Sequence, residues 1–421
     1  MLTFWSILVL FLLTLFPFMR IGGFAYLIQT YELAIWLGLA MVILRGKFSI
    51  SMLFDQFPLA LLTLVVIGLI VVGARAETIQ DFNLVRWQLI FPLVFYLYFR
   101  AVSRDEFAAR AIVVSVGVFL FSVLVLNIYL AMSPDLEVVL YYRQETGFVV
   151  DPEGFVGSAA FRLYGIFSNP IFLAVHSLVA VTLGASLTLC TKKLLERFLG
   201  VANVALGLTN IYLSYSRGPI LIAVLSVWVL ALSLKSASSR RSRSLTVVAA
   251  ALCSLVGIFL LPRLLAYREV PIGLDERVDA WHFAVNQIFT DVDSFFLGTS
   301  PDLFYEKFGY FHAHQHFLST ALFLGFPYAI IFYAAIITKW AALLSGTRRY
   351  RIDPTSQGLY HLVCRYSCLV LGLSLFLQGL WEASCLDYPR INLLFYMLLG
   401  VASSRPHLAE RFDGRILRAL T

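Results

Sequence analysis

Stretches of some 17–25 apolar residues, set apart by short polar turns, recur from one end of this chain to the other. That spacing is the strongest constraint on its fold. Runs of this length cross a hydrocarbon core of about 30 Å as helix, whereas a barrel would need alternating segments of about 10 residues. Lipid offers no partner to an unpaired backbone group, so helices that satisfy their own N–H and C=O groups are expected. Composition agrees: 60% of the 421 residues are hydrophobic and 14% charged, against about 25% charged in soluble domains. The expected fold is an all-α polytopic membrane protein.

The apolar runs give about twelve spans. The first is Thr3 to Met19, which lacks the basic flank and small-residue cleavage site of a signal peptide and is read as retained. Next come Phe24–Leu44, Pro58–Ala74, Leu84–Phe99 and Ala111–Met132. A longer polar segment, Ser133 to Ser168, precedes a sixth span that opens at Ser168-Asn169-Pro170 and ends at Cys190. A capping residue followed by proline is a good helix start. Leu199–Leu213, Ile220–Leu234 and Leu245–Leu261 follow, then Phe317–Leu344 with a break expected at Gly325-Phe326-Pro327, and finally Leu359–Leu380 and Ile391–Ser403.

Three regions result. Residues 1–160 hold the first five spans and a polar loop, residues 161–404 form the remaining core with one large polar loop at 264–316, and residues 405–421 are a basic tail. Short cytoplasmic loops carry excess lysine and arginine. With the N-terminus inside, most of the 32 basic residues fall on the cytoplasmic side, including Arg45, Arg100, Arg104, Lys192, Lys193, Arg240, Arg348 and the tail arginines. Both termini are then cytoplasmic, and the large loop faces outward and is expected to contain short helices. Anionic headgroups explain the inner basic residues without nucleic acid as a partner. The arginines on the other side have no such ready explanation.

The five cysteines show neither disulfide nor zinc-site spacing, and Cys364 and Cys368 are expected to be buried packing residues. The large loop is where titratable groups gather: Arg268, Arg277, His312, His314 and His316 lie in one interval. Arg217 stands in Ser216-Arg217-Gly218-Pro219 at an outer span end, where a charge is costly unless paired, hydrated or used. It either snorkels to water or uses its planar guanidinium to bind phosphate in bidentate fashion. Arg277 begins an amphipathic pattern and could simply pair with Asp275 or Glu276. For the alternating histidines three readings stay open: a metal cluster, solvated loop residues, or a single working base. Asp291 and Asp293 fit helix capping or turn chemistry better than a metal pair. The loop aromatics Tyr267, Trp281, Phe283, Phe304, Tyr305, Tyr310 and Phe311 suit sugar faces or the membrane interface equally.

Four motifs stand in register: Arg162-Leu-Tyr-Gly165-Ile-Phe-Ser-Asn169-Pro170, the Arg217 turn, Arg277…Trp281…Gly298, and His314-Gln315-His316-Phe317-Leu318…Gly325. From Arg162 to Pro327 the chain resembles the bacterial O-antigen ligase and O-antigen polymerase superfamily. Members usually read His-Asn where this chain has His314-Gln315. The resemblance implies glycan transfer from undecaprenyl diphosphate at the periplasmic face of the inner membrane, without metal or cofactor. By position, Arg217 and Arg277 would bind the diphosphate and His314 would be the essential histidine. Arg162, Arg268, His312, His316 and Trp281 are further candidates for holding substrate. A ligase delivers the glycan to lipid A-core, and a polymerase delivers it to another lipid-linked repeat unit. A transporter or flippase is the rival of another class; it would use intramembrane acids such as Glu32, yet no internal repeat is evident.

Overall fold

The computed structural model describes residues 1–15, 29–75, 79–132, 167, 170–214, 219–220, 222–223, 274–309, 313, 315–350, 358–379 and 389–404. Among the described residues the elements are helical and there is no strand. Among the described residues seven helices are long and apolar enough to cross a membrane. They are α3 (Gln56–Arg75), the continuous run formed by α4 (Ile79–Val85), a π-turn and α5 (Phe91–Val102), α6 (Glu106–Met132), α7 (Pro170–Cys190), α8 (Leu194–Leu213), α13 (Phe326–Tyr350) and α14 (Leu359–Gly379). Shorter apolar helices are α1 (Leu2–Leu15), α2 (Thr30–Leu44) and α15 (Pro389–Ser403). Between α8 and α13 come α9 (Leu274–Ile288), α10 (Val292–Leu297), α11 (Pro301–Phe308) and α12 (His316–Leu324).

Every residue of α5 except Arg100 is buried, as in a helix enclosed by others. It packs against α15, α2, α3 and α1. Gly400 of α15 lets the two backbones close up, since a Cβ there would lie 2.5 Å from the Tyr96 carbonyl oxygen. α7 is the second enclosed helix, bounded by α8, α14, α6 and α15. The most hydrophobic windows of the α4–α5 run and of α7 are 72% and 78% buried, against 22% for α13, the lowest share of these seven.

Between membrane helices association depends on close packing and polar contacts, because the surrounding lipid is as apolar as the side chains. α7 and α8 follow that rule. A Cβ on Gly200 would lie 2.6 Å from the Gly184 carbonyl oxygen and 2.5 Å from Thr188 Oγ1. Asn203 and Asn210, seven residues apart on α8, donate to the carbonyls of Gly117 (2.9 Å) and Leu124 (3.3 Å), seven residues apart on α6. The matched spacing sets α6 and α8 parallel and in register. Gly200→Ala is expected to lower the unfolding midpoint in detergent by the equivalent of about 1–3 kcal/mol. Gly73→Ala, where a Cβ meets nothing within 4 Å, should leave it unchanged.

One end of the bundle carries a polar clasp. Glu196 accepts from Arg110 Nε (2.8 Å) and Tyr360 Oη (2.6 Å). Glu106 accepts from the backbone of Gly358 and Tyr360 and meets His361 Nδ1 at 3.0 Å. Arg100 pairs with Asp55, and Ser404 Oγ donates to the Ser103 carbonyl at 3.1 Å. The ends of α5, α6, α8, α14 and α15 that the charge pattern groups together therefore do meet.

At the opposite end two arginines have structural reasons, which corrects the expectation that these residues lack one. Arg75 Nη1 donates to Leu297 O at 3.1 Å and to Phe323 O at 2.8 Å. It thereby satisfies carbonyls at the C-termini of both α10 and α12. Arg86 pairs with Glu32, whose carboxylate also accepts from Trp87 Nε1 (3.2 Å) and the Gln29 backbone (3.0 Å). Pro92 has no N–H for the turn before it, and that turn, Arg86–Ile90, is π-helical. Its wider winding brings both Arg86 and Trp87 to face α2. Glu32 is thus a fully engaged structural carboxylate in this bundle.

Candidate functional site

The candidate residues that the structure describes lie in α9–α12, at the end of the bundle opposite the Glu106–His361 clasp. Ala280, Ala284 and Ile288 make a buried stripe at intervals of four on α9. That stripe packs against Ala321, Leu322 and Phe323 of α12, with Trp281 half-buried beside it. Arg277 stands one turn before Trp281 and is half-buried. The apolar periodicity from Val278 to Phe289 thus faces other protein elements of this subdomain as well as its surface.

Short-range chemistry shapes the rest. Asp291 caps α10, accepting from Ser294 N (2.6 Å) and Ser294 Oγ (3.2 Å), as the capping reading expects. Ser300 and Pro301 open α11, and Gly309 in the left-handed region closes it. Phe304 is buried against Phe308, with ring centroids 4.8 Å apart, and Lys307 Nζ sits 4.0 Å from the Phe283 ring centroid. Phe304 therefore belongs to the subdomain core, and Phe283 is engaged by a cation. Tyr305 is exposed.

α12 begins where the histidines lie. Gln315 is its N-cap, its side-chain oxygen accepting from Leu318 N. On the other side of His314, Ala313 N donates to Ser319 Oγ at 3.0 Å. His316, the first helical residue, is buried, and its Nδ1 bonds the Tyr333 hydroxyl. The Phe332 ring lies alongside it, and Gly379 leaves it room, since a Cβ there would come within 3.1 Å of His316 Cβ. Burial pushes the His316 pKa down to about 3, so the ring is neutral. So weak a base suits orienting a hydroxyl better than taking its proton.

The expected break at Gly325-Phe326-Pro327 is present, separating α12 from α13. Gly298 and Gly325 make that corner possible. A Cβ on Gly298 would lie 2.6 Å from the Phe323 carbonyl carbon, and one on Gly325 would overlap the Phe296 carbonyl oxygen. Thr299 N also donates to Leu322 O at 2.7 Å. The spacing of the two glycines in the motif therefore reflects a backbone-to-backbone contact.

The structure brings Arg277, Trp281 and His316 into one subdomain. Arg162, Arg217, Arg268, His312 and His314 lie outside the described residues. Residues on both sides of the Arg217 turn, Ile211 and Ile220, join Ala174 and Leu178 of α7 in one apolar cluster. Among the described residues no three His, Cys, Asp or Glu side chains come together as a metal-holding group. Cys364 and Cys368 are buried, as expected for packing residues.

Among the ionisable residues that escaped the sequence reading are His176 on α7 and Arg390 on α15, both buried. Bases inside or beside apolar spans were the signal that could have found them, whereas acids were sought there. No family model matches this chain, and no curated protein matches its sequence.

Proposed function

We propose that this chain is an inner-membrane glycosyltransferase that moves a glycan from undecaprenyl diphosphate to an acceptor on the periplasmic face, as an O-antigen ligase acting on lipid A-core. The supporting observation is the packing of α9, with Arg277 and Trp281, on α12, whose cap follows His314 directly. That contact joins two of the four motifs carrying the resemblance to O-antigen ligases and polymerases. In this reading the chain makes twelve spans with both termini cytoplasmic, the clasp lies at the cytoplasmic end, α9–α11 belong to the periplasmic loop, and α12 opens the tenth span.

The chemistry follows from what the residues can do. The bond between the anomeric carbon and the diphosphate oxygen breaks as the acceptor oxygen forms a new one. Negative charge grows on the departing undecaprenyl diphosphate, and Arg217 and Arg277 stabilise it electrostatically. The acceptor hydroxyl loses its proton to His314, a neutral imidazole near physiological pH. His316, tied to Tyr333, orients polar groups of the substrate. A single displacement inverts the anomeric configuration, and a retained linkage in the product would exclude it.

The test is transfer by purified full-length protein in detergent, with defined undecaprenyl diphosphate glycan and lipid A-core. Wild type should join donor to acceptor without a sealed compartment. Arg217→Ala, Arg277→Ala and His314→Ala should each lower kcat/KM by roughly 100- to 1000-fold, the size of effect seen when one oxyanion-stabilising donor is removed. Transfer only to a second lipid-linked repeat unit would identify a polymerase instead. No transfer to either acceptor would sink the enzymatic reading in favour of a transporter.

A further inference from the structure

His176 is wholly buried, and neither ring nitrogen has a hydrogen-bond partner. Its neighbours one turn away on α7, Leu173 and Ala180, are apolar and buried. A leucine would suit these surroundings, whereas an unpartnered imidazole costs free energy. Its ring lies against Phe167, centroids 4.9 Å apart, and the Arg390 guanidinium carbon lies 5.6 Å from the centroid of that same ring. Arg390, 4% exposed, is the second residue of α15, and Phe167 stands just before the start of α7. Two helix N-termini, each favouring negative charge, and a buried guanidinium thus surround one aromatic ring beside an imidazole with both nitrogens available.

This group lies at the end of the bundle where α14 finishes and α9–α12 pack, because the far end of α15 joins the clasp through Ser404. His176 is six residues into α7, or about 9 Å along its axis.

We propose that Arg390 and His176, gathered around Phe167, form a phosphate-binding subsite that receives the diphosphate of a polyprenyl-linked substrate from within the membrane. The identity of the lipid rests on the glycan-transfer reading above. A guanidinium carries five N–H donors and can hold phosphate oxygens in bidentate fashion alongside another partner. A neutral imidazole adds one N–H donor, which the bound phosphate would engage. The subsite holds the lipid diphosphate as it enters or leaves.

Binding to the full-length protein in detergent tests this, with undecaprenyl diphosphate, phosphatidylglycerol and inorganic pyrophosphate as separate probes. Undecaprenyl diphosphate should bind wild type, and Arg390→Gln should weaken it about 10- to 100-fold, as expected for a lost hydrogen bond to a charged group. His176→Leu should weaken it about three- to tenfold, one neutral hydrogen bond. Its unfolding midpoint should be no lower than that of wild type, which separates lost binding from lost folding. Both variants binding all probes as wild type does would overturn the subsite, and so would a wild type that binds none. If Arg217→Ala alone weakens the diphosphate lipid, the subsite falls and the transfer reading survives. If wild type ignores undecaprenyl diphosphate yet the variants weaken phosphatidylglycerol or pyrophosphate, the subsite stands and the transfer reading falls.

Discussion

Gly325→Ala should unfold the α9–α12 subdomain while leaving the chain inserted. Gly325 has φ +95° and ψ 149°, a region open essentially to glycine alone, and a Cβ there overlaps the Phe296 carbonyl oxygen, which is backbone and cannot swing aside. Strain and overlap together should cost about 3–5 kcal/mol. The readouts are a lowered unfolding midpoint in detergent and new proteolytic cleavage between residues 274 and 324. Gly309→Ala is the control: its φ is +73°, but a Cβ meets nothing within 4 Å, so only the left-handed penalty of about 1–2 kcal/mol applies. Equal behaviour of the two variants would show that the corner is not set by backbone contact.

Arg86→Leu should be the second severe change. Glu32 is 0% exposed, and Arg86, Trp87 and the Gln29 N–H satisfy it. Removing the guanidinium leaves a buried carboxylate without its counter-charge, which costs about 3–5 kcal/mol. Replacing both partners, Glu32→Leu with Arg86→Leu, should recover most of that loss, because two apolar side chains need no compensation at this depth. Unfolding midpoints of the two single variants and the double variant, measured in one detergent, form the cycle. If the double variant is no more stable than Arg86→Leu, the pair is not what holds α2 to the π-turn.

Several features were legible because they depend on neighbours in the chain. Run length and apolarity announce helices that can cross a membrane. Asp291 announces a cap, and Gly325-Phe326-Pro327 announces a corner, because each rule concerns residues within about one helical turn. The candidate site was partly legible on the same terms. Arg277 and Trp281 sit one turn apart on α9.

Other contacts were not legible, because a charge's meaning depends on what lies across the bundle. Glu32 read as a proton-coupling candidate, yet its partner is 54 residues away. Arg75 read as an arginine needing a function, yet the carbonyls it serves lie 222 and 248 residues on. Phe304, a candidate sugar platform, is enclosed by Phe283, Phe308 and Phe323. His176 drew no notice among leucines and valines, since only the approach of Phe167 and Arg390 distinguishes it from a packing residue.

Helix content and suitability for a membrane were therefore decided along the chain itself, through local periodicity and the energetic demand that lipid places on every backbone polar group. Which helices touch, which charges are neutralised and which polar groups are left awaiting a partner were decided only by the folded bundle. Those contacts join residues tens to hundreds of positions apart, and no local rule of propensity or spacing reaches that far.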